Sequence, residues 1–166
     1  MRALGNILWH FPFFGFLTAL YNFIIGGILT ITVIGSPIGL GLIQLAKFQL
    51  TPFSTQMVDE SLIGKSKPVA WNIFRVIIFI LYLPFGIVSA IITIIQVCLL
   101  FISIVGIPAA IVLSKSLSTY FNPIGKVCVD INVVSELEKE KAKVKADKII
   151  NRINKIDKLN IYFILH

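Results

Sequence analysis

The stretch of sequence that decides the fold runs from residue 13 to residue 39 and reads FFGFLTALYNFIIGGILTITVIGSPIG. It lies inside a block of 44 residues, 3–46, that contains no Asp, Glu, Lys or Arg. About 20 apolar residues cross the hydrocarbon core of a bilayer once. At about 1.5 Å per residue, one straight helix of the whole block would overshoot a core about 30 Å thick. The block is therefore predicted to lie in a membrane and to fold back on itself.

A second charge-free block of 39 residues, 76–114, has the same character. Over the whole chain 57% of residues are hydrophobic and 14% are charged, whereas soluble domains carry about 25% charged residues. A soluble fold has no means of hiding so much apolar surface. The composition predicts an all-α integral membrane protein.

The two blocks repeat each other when the second is moved back by 71 positions. The matching residues are glycines, an alanine, prolines and a Val-Asp pair, and one gapless register aligns them all. They are Gly15 and Gly86, Ala19 and Ala90, Gly35 and Gly106, Pro37 and Pro108, Pro52 and Pro123, Val58 and Val129, and Asp59 and Asp130. Such self-similarity is the signature of a repeated structural unit.

Prolines and glycines divide each block into a helical hairpin. Pro12 and Pro84 interrupt the apolar runs, which predicts spanning helices at 13–34 and 85–105. Each helix is then predicted to end at a Gly-x-Pro turn, with glycine as a left-handed cap and proline in the first turn of the next helix. The turn residues are Gly35, Pro37, Gly106 and Pro108.

The returning arms are predicted at 38–51 and 109–122. Fourteen residues rise about 21 Å, which is short of the full core. Each arm therefore either crosses a locally thinned membrane or is re-entrant, and the sequence leaves both alternatives open.

Basic residues set the expected orientation. Arg2 precedes the first hairpin, Lys65 and Lys67 lie between the hairpins, and Lys126 follows the second. The positive-inside rule places all three segments in the cytoplasm. Both hairpins then enter and return on the same side, as parallel repeats in a multi-pass protein of the cytoplasmic membrane, with both termini cytoplasmic.

The C-terminal tail differs in composition from the two apolar blocks. Residues 134–158 hold five acidic and eight basic side chains, which predicts a solvated, charged helix. Its partial apolar stripe is compatible with a self-associating coiled coil, or with a helix that lies on the lipid surface or is flexible. The predicted division is a first hairpin at 1–58, a cytoplasmic linker at 59–71, a second hairpin at 72–130 and a basic cytoplasmic tail at 131–166.

Short motifs in both halves resemble the YccF-type bacterial inner-membrane domain. In the first half they are Asn6-Ile7-Leu8-Trp9, Ile34-Gly35-Ser36-Pro37-Ile38-Gly39, Leu45-Ala46-Lys47 and Pro52-Phe53; in the second they are Asn72-Ile73, Val105-Gly106-Ile107-Pro108, Lys115 and Pro123-Ile124-Gly125-Lys126. The chain departs from the family pattern at Gln44, Ser54 and Ala110. The resemblance implies an inner-membrane location and two tandem domains, and it implies no reaction.

Catalytic chemistry finds no support in the sequence. The embedded blocks contain no acidic residue, and the chain has two histidines and two cysteines without metal-ligand spacing. Catalytic triads, carboxylate pairs and phosphate loops all lack the residues they need. We therefore expect no enzyme, no cofactor and no metal, and the net charge of +7 needs no nucleic acid, because basic residues beside a membrane attract anionic head groups.

Two sets of small or polar residues at helical spacing remain. One is a stripe for helix packing or for hydrogen bonding across helices, formed by Gly15, Thr18, Asn22, Gly26, Gly86, Ser89 and Thr93. The other lies on the returning arms and is either an interfacial face with snorkelling lysines or a polar path, formed by Gln44, Lys47, Thr51, Ser114, Lys115, Ser118, Thr119 and Asn122.

Two functions fit these features. The first is a homo-oligomeric inner-membrane protein whose polar arms surround an ion-conducting pore or small-solute conduit, with the lysines favouring anions. The alternative is a non-conducting scaffold or lipid-binding accessory protein that acts through its basic cytoplasmic face on the bilayer and its anionic head groups.

Overall fold

The computed structural model describes residues 2–11, 13–64 and 68–165. Its helices are α1 (Arg2–His10), α2 (Gly15–Ile31), α3 (Ser36–Leu50), α4 (Val69–Ile102), α5 (Ile107–Phe121) and α6 (Ile131–Leu165), and its strands are β1 (Thr55–Asp59) and β2 (Lys126–Asp130). Short 3-10 turns lie at Glu60–Ile63 and Ile104–Gly106. The described residues divide into two compact units, one ending at Ile131 and the other beginning at Asn132.

Helices α2 and α3 run in opposite directions and pack closely because glycines face each other. A Cβ atom built on Gly39 would lie 2.5 Å from the carbonyl oxygen of Gly26, nearer than any real Cβ contact. One turn earlier in α2, Asn22 faces Gln49 near the end of α3. Small residues at a helix interface allow this approach in a membrane, where packing drives association.

Helix α4 contradicts the prediction that Pro84 interrupts the apolar run and that a spanning helix begins at residue 85. The helix continues from Val69 to Ile102 with Pro84 inside it. A proline removes one backbone hydrogen bond, and membrane helices accept that loss when their surroundings compensate. The corresponding prediction for Pro12 lies outside the described residues.

The turns contradict the predicted left-handed glycine caps. Gly35 has φ −78° and ψ −15°, and Gly106 has φ −77° and ψ −13°. Both therefore have right-handed helical backbone angles, and each is the N-cap of the following helix. Helices α2 and α4 end earlier, at Ile31 and Ile102, and the backbone becomes extended at the next residues, Thr32 and Ser103. Glycine is still needed for space, because a Cβ on Gly35 would lie 2.8 Å from the Leu29 carbonyl oxygen.

An antiparallel pair of strands corrects the all-α prediction. Strand β1 pairs with β2 in a register that joins Thr55 to Asp130, Met57 to Cys128 and Asp59 to Lys126. The fold is therefore mostly helical with a two-stranded sheet, and the predicted linker loses its first residue to β1. The run Thr55–Asp59 reads TQMVD and does not alternate between apolar and polar residues, so periodicity does not reveal this strand.

The bounds of the elements in the two halves differ by one constant number. Helix α3 occupies 36–50 and α5 occupies 107–121, the strands occupy 55–59 and 126–130, and α2 and α4 end at 31 and 102. Each difference is 71 residues, which is also the offset that aligns the matching residues of the two charge-free blocks. Met57 and Cys128, which pair at the centre of the sheet, are also 71 apart. A two-fold axis through that pair therefore exchanges β1 with β2.

Two described segments, Val69–Ile102 and Ile104–Phe121, are long and apolar enough to cross a membrane. A third would be present if α1 and α2, which are bent by 77° at their break, act as one span. Outward-facing side chains of α2 and α4 are mostly large and apolar, including Phe16, Ile24 and Ile92. Such exposure is expected where lipid is the solvent.

The core of the first unit lies where α1, α3, α5 and β1 meet. Its buried members are Trp9, Leu45, Phe48, Met57, Ala109 and Val112. From residue 132 to residue 153, most side chains of α6 are exposed. Among them are the apolar side chains of Val144, Ile149 and Ile153.

Candidate functional site

A buried polar cluster joins the ends of the two arms. We call it the junction cluster and define it as Asn22, Gln49 and Tyr120. The amide Nδ2 of Asn22 donates to Oε1 of Gln49 at 2.9 Å, and Nε2 of Gln49 donates to the Tyr120 hydroxyl at 3.1 Å. The Gln49 residue is only 1% exposed. A satisfied polar network of this kind fixes one packing arrangement.

Two further hydrogen bonds attach neighbouring helices to the junction cluster. The indole Nε1 of Trp9 in α1 donates to the Gln49 carbonyl oxygen at 2.8 Å. The Tyr82 hydroxyl in α4 donates to the Tyr120 carbonyl oxygen at 3.1 Å. Five helices, α1 to α5, therefore meet here, and the bonded polar atoms of Gln49 and Tyr120 have partners within the protein.

Lys115 is held by the segment that follows the first arm. Its Nζ lies 3.4 Å from the Pro52 carbonyl oxygen, within hydrogen-bonding range, and 5.4 Å from the centre of the Phe53 ring. An aromatic face at this distance attracts a cation. The charge thus finds partners inside its own chain.

Lys47 lies in a different environment. Like Lys115 it is exposed, but it borders a groove of about 380 Å³ between α2 and α3. The other residues lining this groove are all apolar: Phe16, Ala19, Leu20, Phe23, Ala46 and Leu50. Among the described residues, Lys47 forms no ion pair within 4.0 Å.

The remaining members of the proposed polar path are dispersed. Oε1 of Gln44 accepts a hydrogen bond from the Cys128 backbone N–H at 3.2 Å, and Oδ1 of Asn122 accepts one from Ile124 N–H at 3.0 Å. Thr119 is fully buried, and within the described part of the chain its hydroxyl has no hydrogen-bond partner. The other three, Thr51, Ser114 and Ser118, are exposed. The eight residues therefore occupy several environments within one chain.

The proposed packing stripe is buried at its small residues and at two polar ones. These are Gly15, Asn22, Gly26, Gly86 and Thr93, whereas Ser89 is half-buried and Thr18 is exposed. The hydroxyls bond within their own helices, as Thr18 Oγ1 does to the Gly15 carbonyl oxygen at 2.8 Å and Thr93 Oγ1 to that of Ser89 at 2.7 Å.

Charged residues that the sequence argument did not choose as site residues lie near the ends of the strands. Nη1 of Arg75 lies 3.0 Å from Oε2 of Glu60, with both side chains mostly buried, and Nζ of Lys126 lies 3.1 Å from Oδ1 of Asp59. The sequence could have indicated Arg75, because this residue immediately precedes the second charge-free block. Burial also raises the pKa of the Cys128 thiol, so little thiolate forms near neutral pH.

These features define a membrane protein with long apolar helices, internally bonded polar groups and a small charged sheet. Comparison with protein-family models agrees with that class. Residues 4–55 match the YccF family model, described as an inner membrane component domain. That match covers about a third of the chain and supports an inner-membrane location. No curated protein matches the chain. No solved structure matches it either.

Proposed function

We propose that the chain is a non-conducting, lipid-binding scaffold of the inner membrane. The observation that supports this proposal is that several polar groups on the arms form hydrogen bonds within the chain. Gln44, Lys115 and Asn122 are bonded to backbone atoms of the same chain, and Thr119 is sealed from solvent. Gln44 and Lys115 each bond to a backbone atom in the other half of the chain. Polar groups used in this way hold the two halves together and are not gathered along one aqueous path.

The proposal includes two tandem repeats that enter and return on the cytoplasmic side. The constant offset of 71 between element bounds supports the repeats. The two-fold pairing of β1 with β2 supports a common side, because an axis along the membrane normal would bring both strands to one surface. On this arrangement the N-terminus, the linker and α6 are all cytoplasmic, in agreement with the positive-inside rule.

A basic cytoplasmic face would bind anionic head groups. Residues 134–158 carry eight bases against five acids, and each basic residue near an anionic surface contributes about 1 kcal/mol. The exposed apolar side chains of α6, among them Val144, Ile149 and Ile153, supply a surface for a homo-oligomer or for the lipid interface.

The second candidate is an anion-preferring pore formed by several protomers. Exposed Lys47 favours it, since a cation on an outer surface could face the axis of a ring. Reconstituted liposomes separate the two functions. The scaffold predicts chloride flux equal to that of protein-free vesicles. Flux that depends on protein, and that loses its anion preference when Lys47→Glu and Lys115→Glu are combined, would establish the pore.

A further inference from the structure

The groove beside Lys47 combines an apolar floor with one cation at its edge. Six apolar residues line it, and Lys47 supplies the charge. Its volume of about 380 Å³ lies in the range of small-molecule sites. Both walls belong to the segment that matches an inner membrane component domain, which is consistent with a lipid occupant.

The second half of the chain lacks the same combination. Moving by 71 positions replaces Ala46 with Leu117 and Lys47 with Ser118. A leucine in place of the alanine would fill the floor of the groove, and a serine would remove the charge. Ala19 and its counterpart Ala90 are alike, and the other four lining positions stay large and apolar in the second half, as Ile87, Ile91, Ile94 and Phe121. Positions 46 and 47 are therefore the two at which the second half loses a small residue and a cation.

We propose that this groove binds one anionic phospholipid, with an acyl chain between α2 and α3 and the phosphate at Nζ of Lys47. The occupant follows from complementarity. An acyl chain matches the apolar floor, and a lysine near the end of α3 reaches the head-group region by extending along that floor. The inference rests on the proposed function and identifies one lipid site within it.

The test measures lipids retained by the purified full-length protein, using native mass spectrometry with dioleoylphosphatidylglycerol and dioleoylphosphatidylcholine. The wild type should retain the anionic lipid preferentially. Lys47→Ser should lower that preference roughly fivefold, which corresponds to the about 1 kcal/mol of one basic residue at an anionic surface, and should leave phosphatidylcholine binding unchanged. Ala46→Leu should reduce retention of both lipids. Each variant installs the residue that the second half already carries, so both should fold.

Matched controls distinguish the groove from the general basic face. Lys143→Ser removes a tail charge far along the chain and should leave the preference intact. Excess inorganic phosphate should not displace the lipid, whereas displacement would mean that the site binds phosphate alone. If Lys47→Ser retains the full preference while Lys143→Ser reduces it, the groove site is refuted and the scaffold proposal stands. Protein-dependent chloride flux would refute the scaffold without affecting the lipid measurement.

Discussion

Replacing Gln49 with leucine tests whether the junction cluster holds the two halves together. The substitution keeps the approximate size of the side chain but removes an acceptor for Asn22 and a donor for Tyr120. The Trp9 bond survives because it ends on the Gln49 backbone oxygen. The perturbation therefore isolates the side-chain link between α2, α3 and α5.

The expected cost follows from the two lost hydrogen bonds. Each neutral hydrogen bond contributes about 0.5–1.5 kcal/mol net, and a buried partner left unsatisfied costs about 1–3 kcal/mol. Asn22 retains its bond to the Thr18 carbonyl oxygen at 3.0 Å, so the Tyr120 hydroxyl bears most of the loss. We expect Gln49→Leu to lower the free energy of unfolding by about 2–4 kcal/mol.

Unfolding by dodecyl sulfate in mixed micelles, followed by tryptophan fluorescence, measures this loss. Tyr120→Phe should cost about 1 kcal/mol, and the double variant should cost less than the sum, because both remove one shared bond. Tyr21→Phe is the matched control, since Tyr21 is 65% exposed on α2 and should change stability by less than about 0.5 kcal/mol. Additive losses from Gln49 and Tyr120, or wild-type stability of Gln49→Leu, would refute the link.

Three other predictions follow from separate features. Gly35→Ala should destabilise the protein by about 1–3 kcal/mol through the overpacked turn, whereas Gly27→Ala, where a Cβ meets nothing within 4 Å, should not; equal melting of the two variants would count against the steric argument. Cys128 should alkylate slowly with iodoacetamide, and the pH at which its rate is half-maximal should lie above that of glutathione because its pKa is raised; a rate that matches glutathione would contradict the burial. Cysteine probes at 60–67 and 135–150 should stay unlabelled by impermeant reagents in intact spheroplasts, and labelling of either range would overturn the common cytoplasmic side.

The apolar helices were accessible to sequence reasoning because their signal is long and simple. A charge-free block such as 76–114 constrains the environment of the chain regardless of local detail. The ends of the arms were also predictable to within two residues, since Pro37 and Pro108 mark helix starts and Pro52 and Pro123 lie just beyond helix ends. Proline acts locally, so its effect at these boundaries can be read from sequence.

Other features depended on contacts that no local pattern carries. The strands Thr55–Asp59 and Lys126–Asp130 form because each supplies the hydrogen-bond partners of the other across 71 residues. Pro84 was misread because its tolerance depends on neighbouring helices. The sequence correctly indicated that glycine is required at position 35, but the reason was wrong. The φ of Gly35 is ordinary, and the constraint is steric, because the Leu29 carbonyl oxygen lies too close for a Cβ atom.

For the candidate polar path, the sequence likewise showed which side chains are polar but not what they contact. Lys115 and Gln44 occupy equivalent positions, and their polarity was visible in the sequence. That each bonds to a backbone atom in the other half, at Pro52 and Cys128, requires the fold. A polar residue in an apolar block signals a partner, and the sequence alone does not distinguish water from a carbonyl oxygen.

The two-fold axis through the sheet has an evolutionary consequence under the tandem-repeat proposal. In a homodimer of single-repeat chains, a residue on the axis must face its own copy. Here Gln49 meets Tyr120 and Met57 meets Cys128, each pair being equivalent positions with different side chains. Joining two repeats in one polypeptide releases such positions from self-complementarity, so each half can specialise. The halves are then no longer interchangeable, and a chain built from two copies of the first would place glutamine against glutamine at its centre.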